Sequence, residues 1–148
     1  MTDDAPAVLL RIEDAITSHD IAALAACFAP DYRNETPAHP ARSFTGRDQI
    51  RRNWTAILAG VPDLTASLVR WSRGPADPGT VWAEWDWAGT RGDGHAVRLR
   101  GVTVLGIGDG DGGTRLGEVR WARFYMEPVD DDPAGPTESA RRTVGGLR

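Results

Sequence analysis

Residues 80–107 read TVWAEWDWAGTRGDGHAVRLRGVTVLGI, and the fold is decided here. Val81, Ala83, Trp85 and Trp87 fall on one side of an extended chain and Trp82, Glu84 and Asp86 on the other. That period of two is the signature of a half-buried strand. After the break TRGDG the alternation resumes, with Val97, Leu99, Gly101 and Thr103 continuing the wall. So short a connection joins antiparallel neighbours, because a parallel crossover needs about a dozen residues or more. The same reading extends backward across RGPADPG and forward across GDGDGG, so strands are predicted over 64–72, 80–89, 95–107 and 115–127. In the last strand Ala122, Phe124 and Met126 face in, with Trp121, Arg123, Tyr125 and Glu127 out. One β-bulge would invert that facing and bring Arg123 and Tyr125 inside.

Upstream the period changes to that of a helix. Val8, Ile12, Ala15 and Ile16 predict a first helix over 6–17, with Asp3 and Asp4 available as caps. Ser18-His19-Asp20 breaks it, and Ile21, Leu24, Ala25 and Phe28 predict a short second helix stopping at Pro30. Residues 31–46 carry Pro37 and Pro40 and read as a short strand running into a loop. Thr45 and Asp48 have the spacing of a capping box, and Ile50, Trp54, Ile57 and Leu58 form an apolar stripe that ends at Gly60. Helices first and a strand meander after is an α+β order. Residues 1–128 read as one domain and 129–148, with DDDPAGP and no apolar period, as a flexible tail.

Composition narrows the partners. The 148 residues carry a formal net charge of −4, which gives no reason to expect nucleic acid or an anionic membrane surface. A hydrophobic small molecule or another protein is the expected partner. All 17 basic residues are Arg, a bias that discounts any single Arg as a signal. Cys27 stands alone, so neither a disulfide framework nor a thiolate metal cluster is expected. With no basic leader and no long apolar run, a cytoplasmic location is predicted. Asp109-Gly110-Asp111-Gly112-Gly113 has some character of a calcium loop but reads better as a hairpin turn. Asn53-Trp54-Thr55 is a glycosylation sequon only in a secreted chain.

Six strings carry a resemblance. They are His19-Asp20-Ile21-Ala22-Ala23-Leu24, Cys27-Phe28-Ala29-Pro30-Asp31-Tyr32, Phe44-Thr45-Gly46-Arg47-Asp48-Gln49-Ile50, Val61-Pro62-Asp63-Leu64, Trp87-Ala88-Gly89-Thr90 and Arg123-Phe124-Tyr125-Met126-Glu127. In this order the chain resembles the SnoaL-like polyketide cyclases of the nuclear transport factor 2-like superfamily. The resemblance implies a cone-shaped, curved antiparallel sheet wrapped over three N-terminal helices, a cystatin-like roll. It also implies an enclosed pocket and a homodimer formed through the outer sheet face. The superfamily hosts isomerases, cyclases, hydrolases and plain binding modules, so function has to be argued from the site.

The ketosteroid isomerases of that superfamily use a general base with an oxyanion hole of Tyr and a protonated acid. Thr36, Ile12 and Gly101 stand at those three positions, so that mechanism is not expected. Limonene epoxide hydrolases are matched by Tyr32, Asn34 and Asp86, whereas Glu84 and Phe124 stand where an Arg and a second Asp belong. The cyclases imply cofactor-free acid–base chemistry, cyclisation or isomerisation of a polyketide-like substrate in natural-product metabolism, with no metal. Asn34, Glu35 and His39 are the candidates at the pocket mouth, a carboxylate orienting an imidazole, with Asp86 added if it faces in. The balance for Glu35 and His39 leans to the plainer reading, solvated loop residues. Tyr32, Trp54, Trp85, Trp87, Leu99, Gly101, Phe124 and Arg123 are the expected lining, and Trp71, Trp82 and Trp121 the expected interface. Three functions remain open: cofactor-free enzyme, non-catalytic ligand-binding or assembly domain, and epoxide hydrolase.

Overall fold

The computed structural model describes residues 5–108 and 117–147, so the proposed caps Asp3 and Asp4 and the turn 109–113 lie outside the described residues. Helix α1 (Ala7–Thr17) buries Val8, Leu9, Ile12, Ala15 and Ile16 along one face. His19 then takes a positive φ of 59°, turning the chain, and Asp20 accepts a hydrogen bond from the Ala23 amide to start α2 (Ile21–Ala26).

Helix α2 ends earlier than the apolar spacing predicts. Strand β1 (Phe28–Glu35) begins at Phe28 and runs through Pro30. The proline is tolerated because the pairing register breaks between Phe28 and Arg33, where no ladder bond needs its missing N–H. A 3-10 turn over Pro40–Arg42 leads into β2 (Phe44–Thr45). The predicted capping box is absent: Thr45 belongs to β2, and α3 (Arg47–Gly60) starts from Gly46 without a side-chain cap. Gly46 holds a φ of +97°, a conformation that favours glycine, and its amide donates to the Tyr32 carbonyl at 2.7 Å.

The meander follows as β3 (Thr65–Arg73), β4 (Thr80–Thr90), β5 (Ala96–Gly108) and β6 (Glu118–Pro128). The six strands form one sheet in the order β2-β1-β6-β5-β4-β3. All pairs are antiparallel except β1 with β6, so the sheet is mixed rather than wholly antiparallel. The parallel pair arises because the N-terminal β1 closes against the last strand, with the whole meander as its crossover. The curved sheet and the helices α1–α3 make the expected α+β cone.

The core lies between the helices and the concave sheet face, and holds Leu9, Ile16, Leu24, Tyr32, Leu64, Val81 and Trp85. Facing follows the alternation in β4, where Val81, Ala83, Trp85 and Trp87 are buried. In β6 the facing is also as read from the sequence: Ala122 and Met126 are buried, and Arg123, Tyr125 and Glu127 are not. The bulge of the β5–β6 pair falls between Gly106 and Ile107, opposite Trp121 and Val119, so the ladder is regular from Trp121 through Arg123 to the end of β6. A fourth helix, α4 (Pro136–Gly146), was not expected from the pattern of the tail and buries no residue. Among the described residues no helix is long and apolar enough to cross a membrane.

Candidate functional site

Between α1, α2, α3 and the concave sheet face lies a cavity of about 280 Å³. Its deep walls are Ile16, Leu24, Tyr32, Trp85, Leu105 and Ala122, all buried. Its mouth is marked by the lining residues that keep contact with solvent: Thr36, Arg42, Phe44, Asn53, Ile57 and Phe124. Aromatic rings dominate the walls. Trp87 packs edge-on against Trp54 at 5.3 Å between centroids and at a tilt against Phe124 at 5.9 Å, and Tyr32 packs edge-on at 4.8 Å from Phe28. Edge contacts of this kind add to the burial of large apolar rings and hold each ring in one orientation.

The polar groups of the cavity are few, and several are bonded to one another. Strand alternation points Tyr32, Asn34 and Thr36 of β1 and the following loop to the same side. The Tyr32 hydroxyl donates to Asn34 Oδ1 at 2.9 Å, and Asn34 Nδ2 donates to Thr36 Oγ1 at 3.2 Å. Burial pushes the Tyr32 phenol well above the ordinary tyrosine value, so it remains a neutral donor. On the opposite wall Trp85 Nε1 donates to Thr103 Oγ1 at 2.9 Å. Asn53 Oδ1 accepts from Gln49 Nε2 at 2.7 Å, leaving its own amide hydrogens at the mouth. Trp87 Nε1 is buried without a hydrogen-bond partner among the described residues. No carboxylate and no imidazole lines the cavity among the described residues.

A family model for the SnoaL-like domain matches residues 9–112. The chain belongs to the SnoaL-like domain family. No curated protein matches the sequence, but the fold of this SnoaL-like chain is shared with solved structures. One is a Mycobacterium tuberculosis protein in complex with estradiol-17β-hemisuccinate: 15% identity, TM-score 0.65, 81% of this chain and 91% of that one covered. A second is a Catenulispora acidiphila protein with a ketosteroid isomerase-like fold, in complex with trimethylamine: 22% identity, TM-score 0.61, coverage 81% and 85%. A third is a candidate polyketide cyclase from Sinorhizobium meliloti: 18% identity, TM-score 0.61, coverage 86% and 99%. These likenesses establish the fold of the SnoaL-like chain and leave its chemistry to its own residues.

Of the residues singled out from the sequence, Tyr32, Asn34, Trp54, Trp85, Trp87 and Phe124 line the cavity. Leu99, Gly101 and Arg123 do not. Leu99 packs against the core further along β5, opposite Trp87 and Pro128. Gly101 leaves no side chain to offer, and Arg123 faces outward. Glu35 and His39 do not meet each other. Glu35 follows Asn34 on β1 and so turns to the other side, 3.7 Å from Arg123. His39 Nε2 lies 2.9 Å from Glu127 Oε1, tying the loop after β1 to the end of β6.

Asp86 faces the outer side of the sheet, as its place between Trp85 and Trp87 requires. Arg98 grips it with Nε at 3.1 Å and Nη2 at 2.7 Å. That hydrogen bonding, with the nearby charges of Arg98 and Arg100, holds its carboxyl below the ordinary carboxylate value. Tyr32, Asn34 and Asp86 therefore cannot converge on one water, and the epoxide hydrolase arrangement is not assembled.

The sequence reading did not place Phe44 and Ile57 at the mouth, and it missed two polar residues there, Arg42 and Asn53. Asn53 sits in register with Ile50, Trp54 and Ile57, a polar residue inside an apolar helical stripe, and that could have marked it. Arg42 ends a proline-rich loop with no period, in a chain whose every cation is Arg, and carried no such mark.

Proposed function

We propose that this SnoaL-like domain binds a hydrophobic, ring-containing small molecule whose oxygen end meets the donors at the cavity mouth. The carrying observation is the division of the cavity: aromatic and aliphatic walls in depth, and at the mouth a few polar groups with hydrogens free to donate. Largely apolar clefts with a few convergent polar groups are the usual form of a small-molecule site. The steroid hemisuccinate bound by the Mycobacterium tuberculosis protein agrees with that class. Titration calorimetry with 2-tetralone, a two-ring ketone with exchangeable α-hydrogens, tests the reading. Binding should be measurable, and should weaken in Ile57→Trp, which narrows the mouth. Failure of 2-tetralone and larger ring ketones to bind would refute it.

A second reading, cofactor-free cyclisation or isomerisation of a polyketide-like substrate, is favoured by the His39–Glu127 contact beside the mouth. The mouth donors would stabilise an enolate oxygen, and the imidazole, on the loop that carries Thr36 and Arg42, would have to turn from Glu127 into the mouth to move the proton. Catalysed exchange of the α-hydrogens of 2-tetralone with deuterated water, lost in His39→Ala, would support the enzyme. Binding without exchange would support a ligand-binding module. A homodimer through the outer sheet face belongs to the same proposal, supported by the exposure there of Trp82, Tyr125 and Val69. Sedimentation of wild type against Trp82→Glu tests it, and a wild-type monomer would remove it.

A further inference from the structure

Resting on the small-molecule reading above, a finer one follows from the charges around the mouth. Glu35 faces Arg123, and His39 faces Glu127, so these four side chains answer one another. Arg42 lines the cavity and is exposed, and it makes no side-chain hydrogen bond or ion pair with any described residue. Its backbone is held firmly nonetheless. The Arg42 amide donates to the His39 carbonyl at 2.9 Å, and the Oγ of the following Ser43 accepts from the Thr36 amide at 3.0 Å. The His39–Glu127 contact secures the same loop from outside.

The neighbouring polar groups have one sense. Thr36 Oγ1 already accepts from Asn34, and its hydroxyl hydrogen is free to donate. Asn53 Oδ1 already accepts from Gln49, leaving Nδ2. A guanidinium, an amide nitrogen and a hydroxyl hydrogen are all donors, and no acidic side chain lines the cavity among the described residues to compete for them. A ligand end that is only acceptor, planar and anionic satisfies such a set best.

We propose that the ligand of this cavity is an apolar ring compound bearing a carboxylate, held at the mouth by the Arg42 guanidinium with Asn53 Nδ2 and Thr36 Oγ1. The rings occupy the Trp54, Trp85, Trp87 and Phe124 walls while the carboxylate stays at the solvent edge, where its desolvation is least costly.

The test is calorimetric titration of 2-naphthoate and of its methyl ester into the full chain and into Arg42→Gln and Arg42→Lys. Wild type should prefer the acid by about tenfold or more, the range expected of one charge-assisted contact near solvent. Arg42→Gln should bring the acid down to the affinity of the ester, and Arg42→Lys should keep part of the preference. The preference should also shrink as salt is raised. Equal affinities in wild type, or an acid preference that survives Arg42→Gln, would overturn the carboxylate assignment while leaving the cavity a small-molecule site. Binding of neither compound, or of any ring ketone, would overturn both.

Discussion

Tyr32 and Asn34 hold one another in the cavity wall: the phenol donates to the carboxamide oxygen at 2.9 Å, and both side chains are buried. Tyr32→Phe keeps the ring and removes the donor, leaving a buried acceptor unpaired at a cost of about 1–3 kcal/mol. Urea denaturation should show a lower midpoint with an unchanged slope. An unchanged midpoint would mean that the pair contributes nothing to the fold.

The same burial sets a dependence on alkaline pH. The folded phenol is raised above its ordinary value of 10.0. Below that value both folded and unfolded phenols are protonated and the stability is full. As the pH rises past it, the unfolded phenol ionises while the folded one resists, so stability falls toward the raised folded value. In a Tyr125→Phe background, which leaves Tyr32 as the remaining tyrosine, ultraviolet titration should show phenolate appearing only with alkaline unfolding. Phenolate formation near the ordinary value in a folded chain would contradict the burial.

Gly101 shows why an acid of the ketosteroid isomerase kind has no place here. Its φ is +156°, and a Cβ would collide with the Tyr125 carbonyl and stand 2.8 Å from Met126 Cα. Gly101→Ala should lose about 1–3 kcal/mol through strain and displaced packing. Thermal denaturation checks it, and a melting temperature equal to wild type would show that β5 and β6 separate at no cost.

Helix α4 buries no residue, and its Arg142 ion pairs with Asp132 and Glu138 stay within the tail. Removing residues 132–148 should leave the melting temperature within a few degrees of the full chain, because little apolar surface is given up. A drop of ten degrees or more, on the order of 2 kcal/mol for a domain of this size, would assign the helix a structural role.

Much of this was legible in the sequence, for reasons that differ from element to element. The facing of β4 followed from strict alternation, since a one-residue slip would move Trp85 and Trp87 to solvent. Helix α3 was readable from its apolar stripe, whereas its start was misread because Gly46 holds a backbone conformation that no spacing rule shows. The parallel pairing of β1 with β6 is a long-range closure and left no local trace. At the site, the walls were readable because apolar alternation marks them. The polar mouth was not: Glu35 and His39 are near in sequence yet turn to different partners, and Arg42 reaches the cavity from a loop without period.

The most direct test of the cavity as a small-molecule site is a crystal structure of the chain with 2-tetralone. The account predicts its rings between Trp85, Trp87 and Phe124 and its carbonyl oxygen within hydrogen-bond distance of Thr36, Asn53 or Arg42. A ligand bound only outside the cavity, or one seated with its oxygen against Leu24 and Leu105 and its rings at the mouth, would contradict it.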